Sequence, residues 1–349
     1  LPDNRYLPSN WQLYGWSRVP VGSVPGRRPW SGSTKRVLGY RGEVDSLFDM
    51  LLTEPVAAQP LDDVDAAWTR LRSAAKRFDR QLDRAIAGGF VADRLGFAFL
   101  SGYQAALRTL IPDLPEDELV AICVSEQGGV HPSAIRATLA RQQGVWLVNG
   151  TKSFVIASAS ASRLVVIASV GTGADGRNRL RATMVDPNAP GVDLTEHPPA
   201  SFIPEVPHAS VRLTDVPVRV LPGDGYADYA KPFRTIEDIH VLAAALGWLT
   251  RVARVSDWPS AIRQRLLAAL AAVRGLGSDS PSSPGVHIAL SGVVDVIDDL
   301  LTEVEPLWAS VDSTIRSRWE RDRRLLAIAG SVRGQRLGAA WSAVGTATG

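Results

Sequence analysis

The chain has 349 residues, 45% of them hydrophobic and 21% charged, which is ordinary globular composition and length enough for two or three packed units. Its formal net charge is +2, its basic side chains are almost all arginine and no dense basic run occurs, so nothing in it points to a nucleic acid or an anionic membrane as partner. A single cysteine, Cys123, excludes an intrachain disulfide; the first residues show no charged segment leading into an apolar one; and the longest apolar stretches, such as 241–249, are about half of the roughly 20 residues a bilayer demands, so a cytoplasmic setting is expected.

Residues 1–35 are rich in Pro, Gly and Ser and carry Trp11, Tyr14, Trp16 and Trp30 without a sustained period. They read as an extended arm whose aromatics pack onto the body or onto a second subunit. From 62 to 87, Val64, Trp68, Leu71, Ala75, Phe78, Leu82 and Ala85 alternate steps of four and three, the stripe of a helix. A second helix is expected through "VADRLGFAFLSGYQAALRTLI", ending before Pro112 and Pro115. Near residue 119 the period becomes strand-like and stays so through "HASVRLTDVPVRV". Within that all-β region Asn149-Gly150 is the expected hairpin turn, because a type I′ turn needs positive φ at both central residues. The helical period returns at Phe233. A polar break, 275–285, separates helices, and Ile297, Leu301, Val304, Trp308, Val311, Ile315 and Trp319 form a last stripe.

"FRTIEDIHVLAAALGWL", 233–249, places carboxylates at the head of a helix that is apolar on nearly all sides. Stepping by three or four from Glu237 gives Val241, Ala244, Ala245 and Trp248, so this carboxylate shares a stripe with apolar residues and points at protein or ligand. The alternative is local: Thr235 caps the helix, Asp238 completes the capping box and Glu237 meets the positive end of the dipole. "GTGADG", 171–176, matches a dinucleotide fingerprint, but a strand pattern follows where a helix is required, and a hairpin loop is expected there. His131, His197, His208, His240 and His287 lack a metal-ligand spacing, and no metal site is expected.

The stretch "AICVSEQGGVHPSAIRATLARQQGVWLVNGTKSFVIASASASRLVVIAS", 121–169, resembles the middle domain of acyl-CoA dehydrogenases, whose pattern is a TEPxxGSD segment, a strand, then L-N-G-T-K leading into W-I-T-N. "DPNAPGV" and "LTDVPVRVLPGDGY" resemble the later strands and the exit into the third domain, and the order of helices, sheet and helices agrees over all but the arm. The resemblance implies an α+β multidomain chain: arm 1–35, an N-terminal helical domain 36–118, a middle β-sandwich or barrel-like domain 119–225 and a C-terminal helical bundle 226–349. It implies FAD, with Val124 and Ser125 at the flavin pyrimidine, His131 in place of the serine that helps hold the pyrophosphate, Phe154 in place of the tryptophan beside the flavin, and Ile156 in place of a threonine whose hydroxyl approaches N5. The R-x-x-F-G and Q-x-x-G-G segments, through which a neighbouring subunit grips the cofactor in that family, are not found.

Most of these enzymes take their base from a Y-E-G-T segment eight residues after the Asp of an R-D-A motif; Arg321-Asp322 is present here, with Gly330 at the base position. A minority, including those resembling isovaleryl-CoA dehydrogenase, supply it from an L-E-R segment ten residues before a helix glycine, the spacing of Glu237 and Gly247. The resemblance therefore implies a flavin-dependent α,β-dehydrogenation of acyl-CoA or another acyl thioester with Glu237 as base, in a homodimer or homotetramer. Two alternatives stand beside it: a redox-inactive descendant that binds an acyl thioester, a carrier or a partner subunit, and other flavin chemistry such as monooxygenation.

Overall fold

The structure, a computed structural model, describes residues 46–56 and 59–345. The expected arm, 1–35, lies outside the described residues. The described residues form one compact unit, and the elements below are those found among them. Four helices come first: α1 Leu47–Thr53, α2 Val64–Ala75, α3 Gln81–Val91 and α4 Leu95–Leu110. Eight strands follow, and then α5 Lys231–Val255, α6 Ser260–Leu276, α7 Pro284–Val304, α8 Ser313–Asp322 and α9 Gly330–Ala343. The order of helices, curled sheet and helices is the one the change of period implies.

Two of the expected stripes are each divided between two helices. The one over 62–87 crosses a turn between α2 and α3, where Phe78 stays buried although it is not helical. The one over 297–319 crosses a short 3-10 segment, Glu305–Ser310, opened by Pro306, and Trp308 stays buried within it. Burial kept the apolar spacing while the backbone changed course.

The strands are β1 Val120–Cys123, β2 Thr138–Gln142, β3 Val145–Ile156, β4 Arg163–Thr172, β5 Asn178–Val185, β6 Val192–Glu196, β7 His208–Pro217 and β8 Arg219–Val220. They form one sheet in the order β6-β7-β3-β2-β4-β5-β8, with β1 parallel to β4. The β2–β3 turn is Gln143-Gly144, with φ of 49° and 88°, and not Asn149-Gly150. Asn149 lies inside β3, paired with Thr138, and its amide nitrogen donates to Asp215 Oδ1 at 2.9 Å. Gly150 is required for another reason: its φ is 138° and a Cβ there would collide with Ala137. "GTGADG" closes the β4–β5 hairpin, as expected, with Thr172 facing Asn178.

The long helix α5 packs against α3 and α4 at contacts where only glycine fits. A Cβ on Gly89 would overlap Ala244, one on Gly102 would overlap the His240–Val241 backbone, and one on Gly247 would overlap the Ile86 carbonyl. These close approaches fix the rotation of α5 and hence the direction of its polar side chains. Farther along the bundle, Trp248, Trp308 and Trp319 stack, with Trp308 and Trp319 4.7 Å apart and 6° from parallel, and Trp258 meets Trp308 edge-on at 5.5 Å.

Candidate active site

Helix α5 starts earlier than a cap at Thr235 requires. The Asp224 side chain accepts from the amides of Tyr226 at 2.9 Å and Ala227 at 2.7 Å, a wide π-type turn occupies Gly225–Ala230, and Pro232 lies in the first turn of α5. Thr235 and Asp238 are therefore buried helix-interior residues, and the capping box does not form. Their partners come from α9. Arg336 donates to Thr235 Oγ1 at 2.9 Å and ion-pairs with Asp238, which Arg333 also approaches at 3.5 Å. Glu237 lies nearly two turns into the helix, away from the dipole effect of its first turn.

Glu237 lines a cavity of about 510 Å³. Phe99 of α4, Phe154 and Ile156 of β3, Phe202 and Ile203 of the loop before β7, and Leu325, Ile328 and Ala329 ahead of α9 supply most of the other surface. The carboxyl group is half-buried, lines this apolar space and accepts no hydrogen bond from any described residue. Burial raises its pKa to about 8, the neighbouring Asp238 adds to the rise, and Arg336 opposes it. Tyr103, buried beneath the site, accepts a hydrogen bond from the Ile122 amide at 3.0 Å and packs against Phe99 and Phe233. The position eight residues after Asp322 is Gly330, the first residue of α9, immediately after the cavity residue Ala329. Of the two positions only Glu237 carries an acid, and it lines the cavity.

Phe154 and Ile156 share this cavity with Glu237. Between Lys152 and Val155 the pairing of β3 with β7 is bulged by one residue, and Phe154 takes a φ of 53° and stays 69% exposed, its ring stacked on His197 at 5.1 Å. Ser125 is outside the cavity lining but near Phe154 in the fold: its carbonyl accepts from the Ser153 amide at 2.8 Å, and its hydroxyl has no partner among the described residues. Val124 packs partly against the core. Beneath them Lys152 Nζ meets Glu126 Oε1 at 2.6 Å, and Glu126 also accepts from the amides of Arg136 and Ala137, so the buried ion pair is well satisfied and holds the 124–126 segment against β3. His131 is exposed, engaged with Ser133 at 2.8 Å, and does not join the Glu237 cavity.

His197 and His208 also line the cavity, and burial lowers the pKa of His208. Neither carried a motif, and their proximity follows only from the antiparallel pairing of β6 and β7, with the His197 amide donating to the His208 carbonyl at 2.8 Å. No group of three or more metal-ligating side chains occurs among the described residues. Among them, no helix is long and apolar enough to cross a membrane.

An aromatic ring system with a phosphate-bearing tail fits the residues present. Phe154 offers an exposed ring face at the cavity, and its neighbour Ser153 lines an open polar groove of about 940 Å³ together with Ser133, Arg136 and Thr151.

Residues 121–216 match the family model described as acyl-CoA dehydrogenase, middle domain. Among solved structures, butyryl-CoA dehydrogenase from Megasphaera elsdenii superposes with a TM-score of 0.64 at 15% identity, over 80% of this chain and 90% of that one. Residues 121–216 are thus similar to that middle domain, and the chain has the fold of the butyryl-CoA dehydrogenase. The prolyl acyl carrier protein oxidase AnaB is similar at 14% identity and a TM-score of 0.58, over 79% and 89% of the two chains. TdsC from Paenibacillus sp. A11-2, solved with FMN and indole, is similar at 16% identity and a TM-score of 0.58, over 79% and 87%. No curated protein matches the sequence. The segment "SEQGG" follows β1, "NGTK" and "SFVI" run consecutively along β3, and the Ser153 amide donates to the Ser125 carbonyl at 2.8 Å.

Proposed function

We propose that this chain is a flavin-dependent oxidoreductase that dehydrogenates an acyl thioester between its α and β carbons, with Glu237 as the α-proton base. The observation that carries the reading is a carboxyl group without a described hydrogen-bond partner, lining an apolar cavity of about 510 Å³, in a fold whose other base position is occupied by glycine. A base in such a setting is matched to a weakly acidic carbon proton, because burial brings its pKa close to the working pH. The cavity wall of Phe99, Phe202 and Val241 suits an acyl chain and excludes water from the enolate-like charge that develops as the proton leaves.

Phe154 would carry one face of the flavin ring, Ser125 would donate to a ring edge, and Ser133 with Arg136 would lie along the phosphate-bearing tail. Bound FAD would supply the two-electron acceptor for the hydride from the β carbon. Glu237 accepts the proton, Asp238 keeps its affinity for that proton high, and Arg336 holds Asp238 in position. The AnaB and TdsC likenesses support flavin chemistry on this scaffold without choosing among its reactions. The redox-inactive alternative draws on Ile156, an aliphatic side chain at the cavity where a donor would tune the flavin. Protein purified with added FAD and then desalted should keep a visible flavin band, be bleached by an acyl thioester and run as a homodimer or homotetramer. A colourless protein without calorimetric FAD binding would defeat the dehydrogenase reading.

A further inference from the structure

A second pocket, of about 210 Å³, opens where the starts of α5 and α7 meet the middle of α9. Lys231, Arg234, Arg336 and His287 all line it. Among the described residues, Asp238 is the one carboxylate that ion-pairs with any of these side chains, and it is divided between Arg336 and Arg333. Lys231 and Arg234 form no ion pair among the described residues; Arg234 donates to the Val130 carbonyl at 3.2 Å. Three cations, Lys231, Arg234 and Arg336, thus stand against one carboxylate around a small concavity. Such an arrangement is self-repelling unless an anion enters it.

Two neutral features face the same way. His287 Nδ1 is enclosed and has no hydrogen-bond partner. The 21-residue helix α7 begins beside Ser282, and its N-cap residue Ser283 makes no side-chain capping bond, so the positive end of its dipole is not neutralised from within. A tetrahedral oxyanion occupies the space of a few water molecules and fits a pocket of this volume.

We propose that this pocket binds a phosphate dianion, with Lys231, Arg234 and Arg336 as its charge partners and His287 as a further hydrogen-bonding group. The phosphate is either free or the terminal ester of an organic ligand, and both use the same donors. Arg336 links the two pockets: it lines this one and ion-pairs with Asp238, which lines the Glu237 cavity, so a bound phosphate competes with Asp238 for the same guanidinium. The site can be tested apart from the flavin reading, because phosphate binding needs neither the Glu237 carboxyl group nor the groove beside Phe154.

The test is isothermal calorimetry of the full chain with inorganic phosphate, at an ionic strength fixed with chloride, on wild type and on the double variant Lys231→Ala/Arg234→Ala. Saturable binding to wild type, weakened at least about tenfold in the variant, is expected from the loss of two charge-assisted contacts. If the double variant does not fold, Lys231→Gln alone, at an exposed position, should still weaken binding severalfold. No saturable heat up to about 20 mM phosphate, or equal affinity in wild type and a folded variant, would overturn the proposal. The same titration with 4′-phosphopantetheine and with pantetheine identifies the source. Tighter binding of the phosphorylated compound than of phosphate marks an ester arm and equal binding marks free phosphate, either one upholding the site, whereas equal binding of pantetheine and 4′-phosphopantetheine would refute it. No flavin or turnover is needed, so this result and the test of the dehydrogenase reading fail separately.

Discussion

Replacing Glu237 with glutamine should make the protein less active and, above neutral pH, more stable. The carboxyl group has a pKa of about 8 in the fold against an ordinary value of 4.5, chiefly through burial and secondarily through Asp238. A group that holds its proton more tightly folded than unfolded favours the folded state below its unfolded value. That advantage is lost as pH rises, and the loss is complete above about 8. At about 1.4 kcal/mol for each tenfold change in proton affinity the ceiling is about 5 kcal/mol. Water entering the cavity screens the charge and brings the expected effect to about 2 kcal/mol. Urea unfolding of both proteins from pH 4.5 to 9 reads this directly: the variant should gain on wild type as pH rises and level off above 8. In parallel, kcat on an acyl thioester should fall at least about a hundredfold, and the wild-type kcat/KM should climb through a pKa near 8. A stability difference that does not change with pH, or undiminished turnover in the variant, would refute the assignment of Glu237 as a desolvated base.

Asp238→Asn should cost about 3 kcal/mol, because Arg333 and Arg336 lose their buried partner, and should move the rising limb of the pH–rate profile to lower pH, because the charge that helps raise the Glu237 pKa is gone. Phe154→Ala should leave the unfolding free energy within about 0.5 kcal/mol, since the ring is 69% exposed, while FAD affinity in an absorbance titration falls about tenfold. Gly247→Ala should destabilise by about 2 kcal/mol or more in thermal unfolding, because the added methyl group overlaps the Ile86 carbonyl and forces α3 away from α5.

The succession of helices, sheet and helices was legible because the apolar period changes near Val120 and again at the start of α5, and burial enforces period at that scale. Breaks within a stripe were not. Phe78 and Trp308 keep their apolar positions inside non-helical segments, so spacing alone could not separate a continuous helix from two shorter ones meeting at a buried turn. The β2–β3 turn was misplaced because Asn149-Gly150 is the stronger dipeptide signal, whereas the glycine at 150 serves close approach to Ala137 and Gln143-Gly144 makes the turn. Glu237 could be picked out from its apolar stripe, whereas Phe154 and Ile156 were singled out only by the family resemblance. The partners of Asp238 could not: Arg333 and Arg336 are 95 and 98 residues away and reach it with their long side chains from α9, which packs on α7. His197 and His208 reached the cavity through strand pairing, which leaves no short-range mark in a sequence.

The stacked tryptophans of the C-terminal bundle have an optical consequence. Indole rings as near and as parallel as Trp308 and Trp319, 4.7 Å apart and 6° from coplanar, share their excited states, and Trp248 stacks on both. Where the transition dipoles are skewed, such coupling produces paired circular-dichroism bands of opposite sign that weaken as the rings move apart. The bundle that carries α5 thus has a built-in chromophore whose signal reports its own packing and, lying in the ultraviolet, can be followed apart from the visible absorption of any flavin.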